Sequence, residues 1–189
     1  MNMTWKVLSW MNLPNILTLS RMLLTIPALL MLMSGSVVGH YFSFIVFVVA
    51  ALTDFFDGRI ARKRGLVTDL GKFLDQISDK ILVTSVFLGF MGLSRISLWF
   101  LFILIFRDTL VSGIRMVASS KGKVIAADIF GKAKTVAQIA LLILLYSNLL
   151  WGFPAPSVMV WFEILVAIIT ALSGGNYLLK NLDIFKGGK

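Results

Sequence analysis

The sequence predicts an all-α integral membrane protein of six transmembrane helices with a short N-terminal interfacial helix. Three observations predict it. The 189 residues are 58% hydrophobic and only 14% charged, with a mean hydropathy of +0.91, which is too apolar for a soluble globular domain. The apolar residues come in runs of about 20, the length of a helix that crosses a bilayer, and not in the alternating segments of a barrel. The basic residues concentrate in every second connection, as the positive-inside rule requires of a multi-span helical protein.

The elements follow in order. Residues 3–11 carry Trp5 and Trp10 in a short amphipathic pattern that suits the membrane interface. Spans are expected at 14–34, 40–61, 71–92, 96–117, 131–151 and 157–180. The 62–72 connection carries Arg62, Lys63, Arg64 and Lys72; the 118–134 connection carries Lys121, Lys123, Lys132 and Lys134; the C-terminus carries Lys180, Lys186 and Lys189. The remaining connections, near 35–40, 92–96 and 151–157, carry Arg95 alone. This bias predicts cytoplasmic N- and C-termini and an even number of spans. No internal repeat, low-complexity tract or soluble domain interrupts the pattern, so a single membrane domain over 1–189 is expected.

Composition also excludes functions. The chain has no cysteine, hence no disulfide framework, thiolate metal site or thiol nucleophile. Its net charge of +9 suits anionic lipid and phosphate-bearing substrates. Nucleic acid is a poor partner, because the basic residues flank apolar spans and form no separate domain.

The chemistry concentrates between residues 54 and 79. The run reads Asp54-x2-Asp57-Gly58-x2-Ala61-Arg62, eight residues, then Gly71-x3-Asp75-x3-Asp79. Ionised carboxylates are costly near a bilayer unless they face a cavity and bind something. Asp54 and Asp57 are three apart and Asp75 and Asp79 four apart, so each pair shares a helix face. A short connection makes the two helices antiparallel neighbours, and the pairs are expected to converge. Four carboxylates in a small volume need cations, and hard divalent ions with oxygen ligands satisfy them. With no cysteine and one histidine, zinc is a poor match. Arg62, one turn beyond Gly58, is placed for a phosphate. Capping of helix ends does not account for four carboxylates on two facing stripes, and the spacing is not that of an EF-hand.

The same run resembles the signature of the CDP-alcohol phosphotransferase family, D-x2-D-G-x2-A-R-x8-G-x3-D-x3-D, at every specified position. The resemblance implies that Asp54, Asp57, Asp75 and Asp79 hold two divalent cations, Mg2+ or Mn2+, and that Asp79 is the general base. It implies that Gly58, Ala61, Arg62 and Gly71 line the site for the CDP donor, joined by Asn15 and Thr18 of the first span. It also implies a homodimer.

Three further segments bear on the acceptor alcohol: Asn12-Leu13-Pro14-Asn15-Ile16-Leu17-Thr18-Leu19-Ser20-Arg21, Arg107-Asp108-Thr109-Leu110-Val111-Ser112-Gly113-Ile114-Arg115, and Val124 to Thr135 with Gly131-Lys132-Ala133-Lys134. Arg107 lies eight residues, about 12 Å of helix, from Arg115, and an arginine inside the membrane is functional or paired. Asp108 is its obvious partner, although neighbouring side chains on a helix diverge. Lysines at the start of the fifth span oppose the helix dipole and call for an anion. The segment is not a P-loop, since Ala126 stands where glycine is required and Ala133 follows the lysine.

Together these segments resemble the phosphatidylglycerophosphate synthase branch of the family. That implies a cytoplasm-facing enzyme of the cell (inner) membrane. It would use CDP-diacylglycerol and sn-glycerol 3-phosphate, with Arg107, Arg115, Lys132 and Lys134 around the acceptor's phosphate. A synthase for phosphatidylinositol phosphate within the family, and a divalent-cation transporter outside it, are the alternatives. His40 is expected in an outer loop, Glu163 near Arg95, and Gly174-Gly175 at a bend or close contact.

Overall fold

A computed structural model describes residues 13–63, 69–123, 125 and 129–185, apart from the side chains of residues 13, 14, 54–63, 69, 70, 72, 75 and 76. The expected interfacial helix at 3–11 lies outside the described residues.

Six long helices are present: α1 (Leu13–Met33), α2 (Val37–Lys63), α3 (Asp69–Gly92), α4 (Leu98–Ser120), α5 (Ile129–Trp151) and α6 (Pro156–Lys180), followed by a 3-10 turn, Leu182–Ile184. No strand occurs among the described residues. Their ends fall within three residues of the expected spans. Three segments are long and apolar enough to cross a membrane: Asn15–Met33, Ile129–Trp151 and Pro156–Lys180. In the other three helices charge shortens the apolar stretch. That of α2 ends at Thr53, just before Asp54; α3 contains Lys72, Asp75, Asp79 and Lys80, and α4 contains Arg107, Asp108 and Arg115. The described residues form an all-helical, membrane-embedded protein, and the carboxylate and Arg107 motifs lie on helices that charge interrupts.

The helices form two compact units, Met1–Gly92 and Leu93–Lys189. In the first, α1 is the central element. Its buried stripe runs Asn15, Thr18, Arg21, Thr25, Ala28 and Leu32, at the three-to-four spacing of one helix face. The stripe is polar in its first half and apolar in its second. Among the described residues, α1 packs against both α2 and α3 much more extensively than those two pack on each other. α2 and α3 also touch each other, as their short connection leads one to expect. A short connection fixes which helices follow one another, not which faces bury. Gly89 makes the α1–α3 approach close: a Cβ there would stand 2.6 Å from Leu32 Cδ2.

Between α1 and α2 the chain turns at Gly35, whose φ of +69° suits glycine. Ser36 then caps α2, its Oγ accepting from Gly39 N at 3.0 Å, and His40 N donates to Ser36 O at 3.0 Å. The cap starts the helix earlier than the hydropathy pattern suggests. His40 is therefore helical, and not the loop residue expected.

In the second unit α6 packs against both α4 and α5. At the Leu98 end, Ser97 Oγ accepts from Phe100 N at 3.1 Å, and Glu163 accepts from Ser97 N at 2.9 Å and from its hydroxyl. Glu163 thus ties α6 to the α4 cap. Arg95, in the same connection as Ser97, donates to Asn148 Oδ1 at 2.9 Å. At the opposite end Val111, Ile114 and Ala118 of α4 pack with Tyr177 and Ile184. Lys121 Nζ ties α4 to the turn through the Ile184 carbonyl.

Candidate active site

The 54–79 motif is carried on the end of α2 and the start of α3. Asp54, Asp57, Gly58, Ala61 and Arg62 occupy the last turns of α2, and Gly71, Asp75 and Asp79 the first turns of α3. The side chains of Asp54, Asp57, Arg62 and Asp75 lie outside the described set, as do Gly58 and Ala61 beyond their place in the helix. Among the described residues no three carboxylate or imidazole groups come together, which leaves the expected convergence as a matter of helix position.

Asp79 is described. It is half-exposed, and its Oδ1 lies 3.6 Å from Nη1 of Arg21, a buried residue of α1. Arg21 continues the polar stripe of Asn15 and Thr18, all three less than a tenth exposed. Asn15 is the third residue of α1, so it is an interior residue of the helix and not its cap. Gly71 is partly buried. In the sequence Arg21 stands out only as the end of the Asn12–Arg21 segment. The signal that could have found it is the one that found Arg107, a cation inside an apolar span. The donor set fits hard divalent cations: carboxylate oxygens paired three and four apart on two helices, with no thiol in the chain.

The second unit gathers the other candidates. Arg107, Asp108 and Lys134 form one buried cluster, with side chains 11%, 13% and 7% exposed. Lys134 Nζ donates to both Asp108 oxygens, at 2.7 and 2.8 Å, and Arg107 Nη1 donates to Oδ1 at 3.1 Å. The neighbouring side chains of 107 and 108 do meet, through this Nη1–Oδ1 contact. Arg107 Nη2 donates to Ser173 Oγ on α6 at 2.7 Å and lies 3.6 Å from where a Cβ on Gly131 would stand, in the first turn of α5.

Two of the three members are cations and one is a carboxylate. The first turn of α5 adds the positive end of a helix dipole beside the guanidinium. Arg107 Nε is buried with no hydrogen-bond partner. One turn deeper on α5 and on α6, Gln138 Nε2 and Thr170 Oγ1 are likewise buried and unpartnered. Buried donors left unmet are expensive unless an acceptor satisfies them.

The other two expected residues are not in the cluster. Arg115, two turns along α4, donates from Nε to Tyr177 Oη at 3.1 Å and lies 5.6 Å from the centre of that ring. Lys132 is exposed on the first turn of α5. Gly174 makes a close contact of the expected kind, against Arg107; Ser173, which holds Arg107 from the same helix, carries no chemical signal in the sequence, since small residues in an apolar span announce packing and no more.

Known proteins match the chain both by family and by sequence. The chain is 36% identical to the CDP-diacylglycerol–glycerol-3-phosphate 3-phosphatidyltransferase of Bacillus subtilis (strain 168), over 93% of this chain and 97% of that protein. It is 33% identical to the protein of the same name from Rickettsia bellii, over 86% and 92%. It is 32% identical to a probable phosphatidylglycerophosphate synthase of Mycobacterium tuberculosis, over 90% and 82%. The family profile for CDP-alcohol phosphatidyltransferase matches residues 11–170, a stretch that takes in the α2–α3 motif and the Arg107–Asp108–Lys134 cluster alike, and the chain belongs to that family.

Proposed function

We propose that this protein transfers the phosphatidyl group of CDP-diacylglycerol to sn-glycerol 3-phosphate, giving phosphatidylglycerol phosphate and CMP. The observation that carries the acceptor assignment is the buried Arg107–Asp108–Lys134 cluster, which joins two cations and holds an unmet Arg107 Nε–H. A phosphate monoester dianion answers both needs, and a guanidinium binds it through a planar fork of donors. Free serine, ethanolamine or choline brings no such charge. Arg107 and Lys134 hold the acceptor's phosphate, with Lys132 and Arg115 drawing the anion toward them. The names of the relatives support glycerol 3-phosphate over other phosphorylated alcohols.

On the donor side, Asn15, Thr18, Gly58, Ala61, Arg62 and Gly71 bind CDP-diacylglycerol, with the glycines and alanine admitting the nucleotide close to the backbone. Asp54, Asp57, Asp75 and Asp79 would hold two divalent cations, Mg2+ or Mn2+, which when bound neutralise charge on the pyrophosphate. Asp79 accepts the proton of the acceptor hydroxyl. That oxygen bonds to the β-phosphorus, the bond between β-phosphorus and the bridging oxygen breaks, and CMP leaves with the electron pair. Arg21, 3.6 Å from Asp79, orients the carboxylate. Asp79→Asn should abolish turnover in a protein that still binds CDP-diacylglycerol.

The family profile crosses both compact units, which supports one functional domain over the whole chain. We place all six helices across the cell (inner) membrane, with both termini cytoplasmic, and take the enzyme as a homodimer. The test is CMP release by purified protein in detergent, with CDP-diacylglycerol and Mg2+ or Mn2+. Release with glycerol 3-phosphate alone is expected. Release only with inositol phosphate would keep the family and overturn the acceptor; silence with both, from folded protein, would overturn the transferase in favour of a cation transporter.

A further inference from the structure

We infer that Ser173 and Gly174 of α6 are positioning residues for the acceptor's phosphate, acting through Arg107. The inference rests on the reading of Arg107 as a phosphate-binding residue. Two independent observations carry it. Ser173 Oγ accepts from Arg107 Nη2 at 2.7 Å, which fixes the far edge of the guanidinium. Gly174 leaves room for the near part of the same side chain: a Cβ there would stand 2.8 Å from Arg107 Cγ and 3.6 Å from its Cβ.

The identity of the crowded atom matters. Cγ is next to the root of the arginine, so it cannot move aside as the tip of a flexible chain can. Relief requires rotation about the first side-chain bond. That rotation swings the guanidinium away from both Asp108 and Ser173. Gly174 and Ser173 thus set the stem and the fork of one arginine, leaving its Nε–H unpaired within the cluster. The adjacent Gly175 has nothing within 4 Å of a Cβ, so the two glycines of this pair have different tasks.

The test is steady-state kinetics of four variants of the full-length protein, each with both substrates varied. Gly174→Ala should raise the KM for glycerol 3-phosphate about tenfold, with kcat and the KM for CDP-diacylglycerol little changed. Ser173→Ala should raise it about threefold by the same route. Gly175→Ala should match the parent. Arg107→Ala should exceed both in acceptor KM. An unchanged acceptor KM in Ser173→Ala and Gly174→Ala, beside a raised one in Arg107→Ala, overturns the inference and leaves the pocket standing. An equal rise in Gly175→Ala also overturns it, since the effect would then be a general one of glycine loss in α6. No acceptor effect in Arg107→Ala overturns the pocket assignment and the inference with it. If Gly174→Ala does not fold, Ser173→Ala, which only removes an atom, decides the matter.

Discussion

Arg107 shows how one side chain can be obvious and still half hidden. Its charge inside an apolar span marks it at once, and Asp108 beside it suggests the partner. The second partner of Asp108, Lys134, comes from 26 residues away and is invisible to local spacing. Ser173 is farther still, and a serine next to two glycines signals nothing chemical. The geometry makes Asp108 the member whose loss is felt most. Asp108→Ala would leave two buried cations facing each other, and removing one partner of a buried pair costs about 3–5 kcal/mol. A clear fall in the melting temperature of the purified protein should follow. Asp108→Glu, which keeps the charge, should lose much less. Glu163 makes the contrasting case. It ties α6 to the cap of α4 through Ser97, in an exposed setting. Glu163→Gln should cost only about 1 kcal/mol, with turnover unchanged.

At the scale of helices, hydropathy locates each element within three residues because the need for about 20 apolar positions is stringent. It does not say which helices touch. The central place of α1 depends on where small residues fall, and Gly89 is the clearest instance. Gly89→Leu would force a large side chain against Leu29 and Leu32, and overpacking of this kind costs about 1–3 kcal/mol. Thermal unfolding should detect it. Gly39 is less tolerant: a Cβ there would lie 2.5 Å from the Met31 carbonyl oxygen, and a backbone atom cannot step aside. Gly39→Ala should therefore disturb the α1–α2 turn itself, visible as increased proteolysis between residues 33 and 37. The same cap residue, Ser36, explains why His40 is helical although hydropathy alone placed it in a loop.

For the molecule as a whole, the carboxylate motif was the most readable feature, because its chemistry is written in fixed spacing along two helices. The partners that α1 offers it were less so, since Arg21 meets Asp79 only through the fold. The orientation proposed from the basic connections is simple to check, because the chain has no native cysteine. In intact cells Ser157→Cys should react with an impermeant maleimide, and Ser119→Cys only after the membrane is opened. Labelling of both from outside would contradict the six-span topology. The half-polar stripe of α1 also bears on how the chain is made. The ribosome delivers α1 first, when neither α2 nor α3 exists to cover Asn15, Thr18 and Arg21. An arginine near the middle of an insertion segment costs about 2.5–3.5 kcal/mol on the translocon scale. Until its covers are synthesised, α1 is a poor solute for lipid, and the three helices should enter the bilayer as a group. A reporter fused after Met33 should integrate less efficiently than one fused after Gly92.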